Sequence, residues 1–320
     1  MNPIDLKKMI VNLALAEGFG RVGISGLDPF ESDSKKLDSW FKKNHHQHLP
    51  YLDPIKLLNP KSVEGSAQVA LVVFYPYARP DCIPGKLGAQ KASRYLWGED
   101  YHWVIKKKLL QILETIQKFN SSIEGKVCVD TAPLLERQLA QRAGIGWQGK
   151  NTLLIADQDG SWGFLGVLLL NVELPPDNPF PFEQCGTCSA CLDACPTGAL
   201  TPFELNPNLC ITTYTIETDQ EPPLIVSKAI RETGWIAGCD ICQEVCPWNR
   251  RPLWGDADVW GGLNSIHSVA TSDLPFSSSQ WRKFNRKSAL RRVSRRHWLT
   301  TLRRAGLLLD PLNGSLMKEK

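Results

Sequence analysis

Apolar residues recur every three or four positions in several stretches of the chain, which is the spacing of a helix with one buried face. Residues 4–17 show this spacing first, with Glu17 and other polar residues between the apolar ones. That pattern favours an amphipathic helix over an export signal. Residues 35–44 and the longer stretch Tyr101–Phe119 follow the same period, and a further helix is predicted over residues 133–143.

Apolar runs of a different kind predict the strands. Residues 68–75 (QVALVVFY) form an unbroken, β-branched run, which predicts a buried strand. Shorter runs predict strands over residues 21–27, 126–130, 151–156 and 163–172, with Gln158-Asp159-Gly160 as the turn before the last. Residues 45–66, rich in His, Pro and Asn, predict a loop. The proline-rich tract 175–182 (PPDNPFPF) disfavours both helix and strand, so a domain boundary is predicted there.

Composition adds the class of protein to this picture. The chain has 320 residues, of which 42% are hydrophobic and 22% charged, values typical of a globular protein with two or three packed units. It contains no run of about 18 apolar residues, so no membrane span is predicted and a cytoplasmic location is expected. In that compartment the ten cysteines are not expected to form disulfides.

The charge is unevenly distributed. Ten Lys and Arg residues and no acid lie between Arg282 and Arg304. Subtracting these ten charges from the net charge of +4 leaves −6 for the rest of the chain. A polyanion would therefore meet a local basic stretch on an acidic body.

Eight of the ten cysteines are crowded into residues 185–246, while Cys82 and Cys128 lie apart and are expected to be plain thiols. The spacing CxxCxxCxxxCP begins at Cys185, and the related spacing CxxCxxxCP begins at Cys239. The first is typical of bacterial ferredoxins, in which three close thiolates hold one iron–sulfur cube and the fourth holds the neighbouring cube. A zinc site is the alternative, because zinc also uses CxxC pairs.

The cysteine count closes on two [4Fe–4S] clusters. The second motif lacks one close ligand, and Cys210, which lies between the motifs, supplies it. The exchange of fourth ligands then predicts two crossed sets. The first set is Cys185, Cys188, Cys191 and Cys246, and the second is Cys195, Cys210, Cys239 and Cys242.

Asp130 is the candidate for the chemistry, at the end of a predicted strand and just before a helix that opens with proline. By position alone it predicts a helix N-cap or a proton donor. Glu136 and Arg137 are expected on a solvated or paired helix face. The glycine-rich segment GIGWQGKN is able to cradle a cofactor, although it fits neither a Walker nor a Rossmann pattern.

Several segments together resemble the epoxyqueuosine reductase family. They are RYLWGEDYH, VDTAPLLERQLAQRAGIGWQGKNTLLI, GSWGFLG, CGTCSACLDACPTGAL, CITTYTIE and CDICQEVCPWNR, and they span roughly residues 90–250. The Asp130 segment together with Cys246-Pro247-Trp248-Asn249 is more specific than the cysteine spacing alone. The chain departs from the family pattern at Lys56, where an arginine is usual, and at the C-terminal LTTLRRAGLLLD.

The resemblance implies an α+β fold in three parts. A nitroreductase-like α/β domain that binds cobalamin is expected over residues 1–174, and a ferredoxin-like double [4Fe–4S] domain over 175–252. A basic C-terminal helical segment that contacts tRNA is expected over 253–320. The implied activity is the reduction of epoxyqueuosine to queuosine at the wobble position of tRNA. Electrons would pass from an external low-potential donor through the clusters to cobalamin.

The resemblance also implies roles for individual residues. Asp130 matches the proton donor of the family, and burial beside the corrin is expected to raise its pKa so that it stays protonated near neutral pH. His102 is expected to be a partner of its own helix rather than a cobalt ligand. The implied cobalamin contacts are Tyr95, Trp97, Trp147, Lys150, Asn151, Thr152, Leu154, Ser161, Leu165 and Thr212.

The basic stretch is predicted to contact the tRNA backbone along one or two helix faces, with salt-sensitive affinity. The residues expected to do so are Arg286, Lys287, Arg291, Arg292, Arg295 and Arg296. The alternative is a solvated basic helix on an acidic body.

Three other functions are open at this point: a reductive dehalogenase, a ferredoxin-type electron carrier, and an RNA-binding protein with a structural cluster. The lack of an export signal and the basic stretch argue against the dehalogenase. The Asp130 segment argues against the carrier, because a carrier needs no proton donor. An RNA-binding protein with a structural cluster would keep its function in the absence of cobalamin.

Overall fold

The computed structural model describes residues 2–79, 91–260 and 277–307, so Cys82 lies outside the described residues. Within these ranges helices and strands are mixed, in agreement with the predicted fold class. The α-helices there are α1 (Pro3–Ala16), α2 (Glu31–Lys42), α3 (Pro54–Leu58), α4 (Tyr101–Phe119), α5 (Glu136–Arg142), α6 (Ala190–Asp193), α7 (Leu224–Thr233), α8 (Ile241–Glu244), α9 (Ala257–Trp260), α10 (Ser278–Asn285) and α11 (Arg295–Arg304).

The strands form one larger sheet and several short ladders. The larger sheet has the order β1-β2-β7-β4, and all its neighbours are antiparallel. The strands of the described ranges are β1 (Arg21–Gly26), β2 (Val69–Pro76), β3 (Lys91–Ala92), β4 (Gly125–Cys128), β5 (Gly146–Gln148), β6 (Leu154–Ala156), β7 (Gly163–Leu170), β8 (Leu200–Thr201), β9 (Glu204–Leu205) and β10 (Trp235–Ala237).

The central strand β2 explains the unbroken apolar run in the sequence, because both of its faces are covered. Alternate side chains point to opposite faces of a strand. Val69, Leu71, Val73 and Tyr75 belong to a hydrophobic cluster shared with α1 and α4. Ala70, Val72 and Phe74 belong to a second cluster shared with α5. All eight residues of β2 are buried.

Glycine lets α5 approach the sheet. A Cβ atom at Gly23 of β1 would lie 2.1 Å from the backbone oxygen of Ala143, which follows α5. No side chain fits at that distance, so this position requires glycine. The close approach fixes α5 against the sheet, and α5 begins a few residues after Asp130.

The predicted helices and strands agree with the structure apart from differences in four regions. The strand predicted over residues 151–156 begins only at Leu154, and the helix predicted over residues 35–44 begins earlier, at Glu31. Residues 45–66, predicted as loop, contain α3 and the 3₁₀ turn Pro60–Ser62, each opened by a capping side chain, Asp53 and Asn59. The helix predicted from residue 133 begins only at Glu136. The proline-rich tract 175–182 contains neither helix nor strand, as predicted.

The C-terminal residues 277–307 pack on the core of the first part of the chain. Trp281, Leu290 and Trp298 belong to the same hydrophobic cluster as α1 and α4. The basic stretch is divided among α10, the 3₁₀ turn Ala289–Arg292 and α11. The expectation of one or two continuous helix faces is therefore wrong, because capping serines at 277, 288 and 294 start each piece separately.

Candidate active site

A cavity of about 2080 Å³ lies beside the larger sheet. It is bounded by α2, α3, the first turn of α4, the loop between β4 and α5, and the start of β7. Ordinary small-molecule pockets measure about 300–1,000 Å³. The space is therefore large enough for a bulky cofactor together with part of a substrate.

Asp130 lines this cavity in an unusual backbone conformation, with a φ of 60°. Its backbone N–H donates to Glu136 Oε1 at 2.9 Å, which stabilises the left-handed turn. The N-cap position of α5 is Leu135, and no side chain caps the helix. The N-cap alternative for Asp130 is therefore wrong, because the loop places its side chain away from the start of α5.

The first turn of α4 faces Asp130 with two side chains. Tyr101 Oη donates to Asp130 Oδ2 at 3.0 Å, and His102 Nε2 lies 3.2 Å from the same oxygen. His102 Nδ1 lies 2.7 Å from Oδ1 of Asp100, the residue that caps this helix. His102 is thus a partner of its own helix, as expected, but it also joins the helix cap to Asp130.

Two arginines extend this group. Arg291 Nε lies 2.8 Å from Asp100 Oδ2. Arg292 pairs with Glu217 at 3.0 Å and approaches Asp130 Oδ2 at 3.8 Å. Tyr101, His102 and Arg292 all approach the Asp130 carboxylate at Oδ2. Within the described part of the chain, no donor contacts Oδ1, which leaves that oxygen available to a ligand.

The ionisation of this group differs from the sequence-based expectation. Burial alone raises the pKa of Asp130, but hydrogen bonds from His102 and Tyr101 and the charges of His102 and Arg292 lower it below 3.8 overall. Burial lowers the pKa of His102, yet its bonds to Asp100 and Asp130 raise that pKa to about 9. The expectation of a raised pKa at Asp130 is therefore wrong for this structure. At neutral pH the shared proton lies on His102.

Glu136 is the carboxyl group whose pKa is raised here. Burial, and then the nearby charge of Asp130, raise it to about 8. Arg137 donates through Nη1 to the carbonyl oxygen of Thr152. Both residues line the cavity, and both are paired, which is one of the two arrangements that their sequence position predicts. They tie the Asp130 loop to the glycine-rich segment.

Half of the predicted cobalamin contacts lie on the cavity wall. The residues in this group are Trp147, Thr152, Leu154, Ser161 and Leu165. Lys150 and Asn151 instead line a smaller cavity among the cysteines. Tyr95, Trp97 and Thr212 lie outside both linings, and Trp97 donates its indole N–H to the carbonyl of Ala92. The positions of these residues do not show which of them would contact a corrinoid, so the set stays a prediction.

The smaller cavity, of about 270 Å³, corresponds to the first predicted cysteine set. Cys185, Cys188, Cys191 and Cys246 all line it. Lys150 Nζ donates to the carbonyl oxygens of Gly186 at 2.6 Å and Cys188 at 2.9 Å beside it. A cation and four thiols around one space suit an anionic iron–sulfur cube.

The second predicted set is also brought together. Burial raises the pKa of Cys242, and the nearby thiols of Cys210, Cys195 and Cys191 add to the rise. Burial likewise raises the pKa of Cys239, with contributions from Cys210 and Cys242. Cys191 belongs to the first set, so the two groups of thiols are neighbours.

The cysteine region is joined to the large cavity by buried side chains. Trp147 is fully buried, lines the cavity, and packs with Cys246 and Trp248 in one hydrophobic cluster. Its indole nitrogen is buried without a hydrogen-bond partner among the described residues. Ser161 Oγ, on the cavity wall, accepts from Asn249 Nδ2 at 2.9 Å and from Gln243 Nε2 at 3.1 Å. The second cysteine motif therefore fixes part of the cavity wall.

The predicted tRNA contacts are mostly engaged with carboxylates. Lys287 pairs with Glu99 at 3.2 Å and Arg296 with Asp219 at 3.1 Å. Arg291 and Arg292 lie on the cavity lining, whereas Arg286, Lys287, Arg295 and Arg296 do not. The acidic body thus neutralises part of the basic stretch. The contact of these residues with tRNA stays a prediction.

Sequence reasoning missed Asp100, Tyr101, Gln243 and Asn249 and underrated His102. The signal at α4 was three polar side chains in succession, Asp100-Tyr101-His102, at the start of a strongly periodic helix. A helix start places such side chains on neighbouring sides of one turn. Gln243 and Asn249 carried no comparable signal, because each gains its role only through hydrogen bonds to Ser161, which is distant in the sequence.

Comparisons with known proteins identify the family and the cluster-binding domain. A family model described as "Epoxyqueuosine reductase QueG, DUF1730" matches residues 58–131, and one described as "4Fe-4S double cluster binding domain" matches residues 184–249. An epoxyqueuosine reductase of Leadbetterella byssophila is 41% identical over 256 residues, which cover 77% of this chain and 80% of that protein.

Solved structures give the same result. A crystal structure of epoxyqueuosine reductase with an epoxyqueuosine-modified tRNA-Tyr stem loop superposes with a TM-score of 0.82 and 27% identity, over 95% of this chain and 83% of that one. A catabolic reductive dehalogenase, 15% identical with a TM-score of 0.50, covers 78% of this chain and 32% of that one and shares the fold. No helix in the described ranges is long and apolar enough to span a membrane.

Proposed function

The chain belongs to the epoxyqueuosine reductase family, and we propose that it reduces epoxyqueuosine to queuosine at the wobble position of tRNA. Electrons would pass through two [4Fe–4S] clusters to cobalamin. One observation carries the proposal: Asp130, bonded to His102, lines a cavity whose wall also contacts the cluster cysteines through Trp147. Because the proposed substrate is a tRNA, we place its activity in the cytoplasm.

The residues present fit both cofactors. The two crossed cysteine sets would hold the clusters. The wall formed by Trp147, Thr152, Leu154, Ser161 and Leu165 would hold cobalamin, and the unpartnered indole nitrogen of Trp147 offers it a donor. Bound together, these groups would supply single electrons and a strong reductant beside the epoxide. Cys188 is exposed, which suits electron entry from an external low-potential donor at the first cluster.

The protein's own contribution is the supply of protons. Removal of the epoxide oxygen as water leaves an alkene and consumes two electrons and two protons. The side chains at Asp130 would deliver one of these protons, and solvent would supply the other. His102 holds a proton at neutral pH, 3.2 Å from Asp130 Oδ2. A carboxylate accepts a proton at one oxygen and donates it from the other, so Asp130 passes this proton through Oδ1 to the departing oxygen. Tyr101 holds the carboxylate in place during the transfer.

The substrate base has to leave the anticodon loop to reach Asp130. Enzymes that modify a base extrude it into a pocket and read it there by stacking and edge contacts. Arg291 and Arg292 lie on the cavity lining and are placed to meet the adjoining phosphates. The other predicted basic contacts would follow the backbone further from the cavity.

Metal analysis of anaerobically purified protein tests the cofactor part of the proposal. We expect eight irons per chain and a corrinoid that binds, seen as a change in the cobalamin absorption spectrum on titration. Iron without any affinity for a corrinoid would instead favour the ferredoxin-type carrier. A single zinc in place of iron would contradict both.

The pH dependence of turnover tests the role of His102. The raised pKa means that His102 is protonated up to about pH 9, and turnover should fall above that pH as the proton is lost. The His102→Gln variant should lose this alkaline fall, and its turnover should drop at least about tenfold at neutral pH with little change in KM. A variant that kept the same alkaline fall near pH 9 would exclude His102 as the proton source.

A further inference from the structure

We propose that Trp103 is a stacking platform for an unpaired anticodon-loop base next to the wobble nucleotide. The inference rests on the proposed function and adds a binding site to it. Trp103 belongs to α4, directly after His102, and lines the same cavity as Asp130. Its side chain is 56% exposed, although an indole is among the side chains that gain most from burial.

Two cations surround the exposed ring. The Arg291 guanidinium carbon lies 5.2 Å from the ring centroid, and Lys106 Nζ lies 6.0 Å from it. Both distances lie within the range of cation–π attraction. An aromatic surface flanked by positive charge is the arrangement with which proteins bind single-stranded RNA, since the base stacks and the phosphates meet the cations.

The platform is coupled to the proton-donating group through one carboxylate. Asp100 Oδ2 lies 2.8 Å from Arg291 Nε, while Asp100 Oδ1 lies 2.7 Å from His102 Nδ1. The position of the guanidinium beside Trp103 is therefore fixed by the residue that orients His102. A base stacked on Trp103 would be held at a set distance from Asp130, and its extruded neighbour would enter the cavity.

RNA is favoured over a protein partner by charge. The cavity lining near Trp103 includes Lys106, Arg291 and Arg292, and Lys35, Lys36 and Lys56 of α2 and α3 line the same cavity. Cations from several elements around one cavity match a phosphate backbone that passes over it. An apolar protein partner would offer no phosphates to these cations, although Arg291, Arg292 and Lys56 also pair with carboxylates of the chain.

Binding of an anticodon stem loop to the full-length holoenzyme tests the platform. We use RNA with ordinary guanine at the wobble position, so that binding is measured without turnover. Fluorescence anisotropy should show that Trp103→Ala weakens binding about 5- to 150-fold, the effect of losing one stacked base. Trp103→Phe should keep most of the affinity. The matched control is Trp254→Ala, which removes an indole that is 51% exposed and lies outside the cavity lining.

A stem loop with an abasic site next to the wobble position separates stacking from charge. With that RNA, wild type and Trp103→Ala should bind equally, because no base is left to stack. Equal binding of the intact stem loop by Trp103→Ala and wild type would overturn the platform, and so would equal losses in Trp103→Ala and Trp254→Ala. Conversion of epoxyqueuosine RNA by wild type is measured separately, so the platform can fail while the proposed function stands.

Discussion

Asp130→Asn is expected to lower the turnover of epoxyqueuosine-containing tRNA by about 10²- to 10⁴-fold, the usual contribution of a general acid. Asparagine keeps the size of the side chain, and its amide oxygen still accepts a hydrogen bond from Tyr101 Oη. In the wild-type structure this hydroxyl lies 3.0 Å from Asp130 Oδ2. It is unable to receive a proton from His102 and pass it on. Iron content, corrinoid binding and the affinity for the tRNA stem loop should stay at wild-type values.

Two variants sharpen the test of Asp130. Asp258→Asn, on the short helix α9 and away from the cavity lining, is the matched control and should retain turnover. Glu136→Gln keeps an oxygen that accepts the Asp130 backbone N–H, so its loss should be much smaller than that of Asp130→Asn. Full turnover by Asp130→Asn with intact cofactors would show that the proton comes from elsewhere.

Cys210→Ala is expected to lose half of the iron and essentially all reductive turnover. Cys210 lies between the two motifs in the sequence. Its thiol interacts electrostatically with the thiols of Cys195, Cys239 and Cys242. Removal of one of four thiolates should prevent the second cube from forming, whereas the first set, around the 270 Å³ cavity, is untouched. Iron analysis and low-temperature electron paramagnetic resonance of the reduced protein would show one cluster signal in place of two.

Cys128→Ala is the control for this experiment. Cys128 is 3% exposed and packs in the hydrophobic cluster on the α5 side of β2. Burial raises its pKa to about 11. This variant should keep eight irons and lose only the stability that a small core cavity costs. Eight irons in Cys210→Ala would contradict the crossed ligand sets.

The elements that could be predicted from sequence are those with local signals. The apolar run of β2 and the periodicity of α4 specify their structure over many residues, and the cysteine spacings bring thiols together because the chain between them is short. The conformation of Asp130 has no such signal. Its positive φ depends on Glu136, and the direction of its pKa depends on His102 and Arg292, which are distant in the sequence.

The charge of the basic stretch could also be predicted only in part from the sequence. Sequence showed the concentration of charge between residues 282 and 304, but not the carboxylates that meet it. Glu99, Asp100, Glu217 and Asp219 come from two distant parts of the chain, and each pairs with one of these cations. The number of basic residues in a stretch of sequence therefore overestimates the positive charge available to a polyanion. The fold brings carboxylates from distant parts of the chain next to these cations, and the sequence does not show those pairs.

The central claim is most directly tested by a single-turnover reaction under anaerobic conditions. Purified protein with its clusters and cobalamin is mixed with a chemical reductant and a tRNA stem loop that carries epoxyqueuosine, and the digested nucleosides are analysed by mass spectrometry. We predict the loss of one oxygen atom and the appearance of queuosine, in wild type but not in Asp130→Asn. Unchanged epoxyqueuosine in the presence of fully loaded, reduced wild-type protein would contradict the assignment.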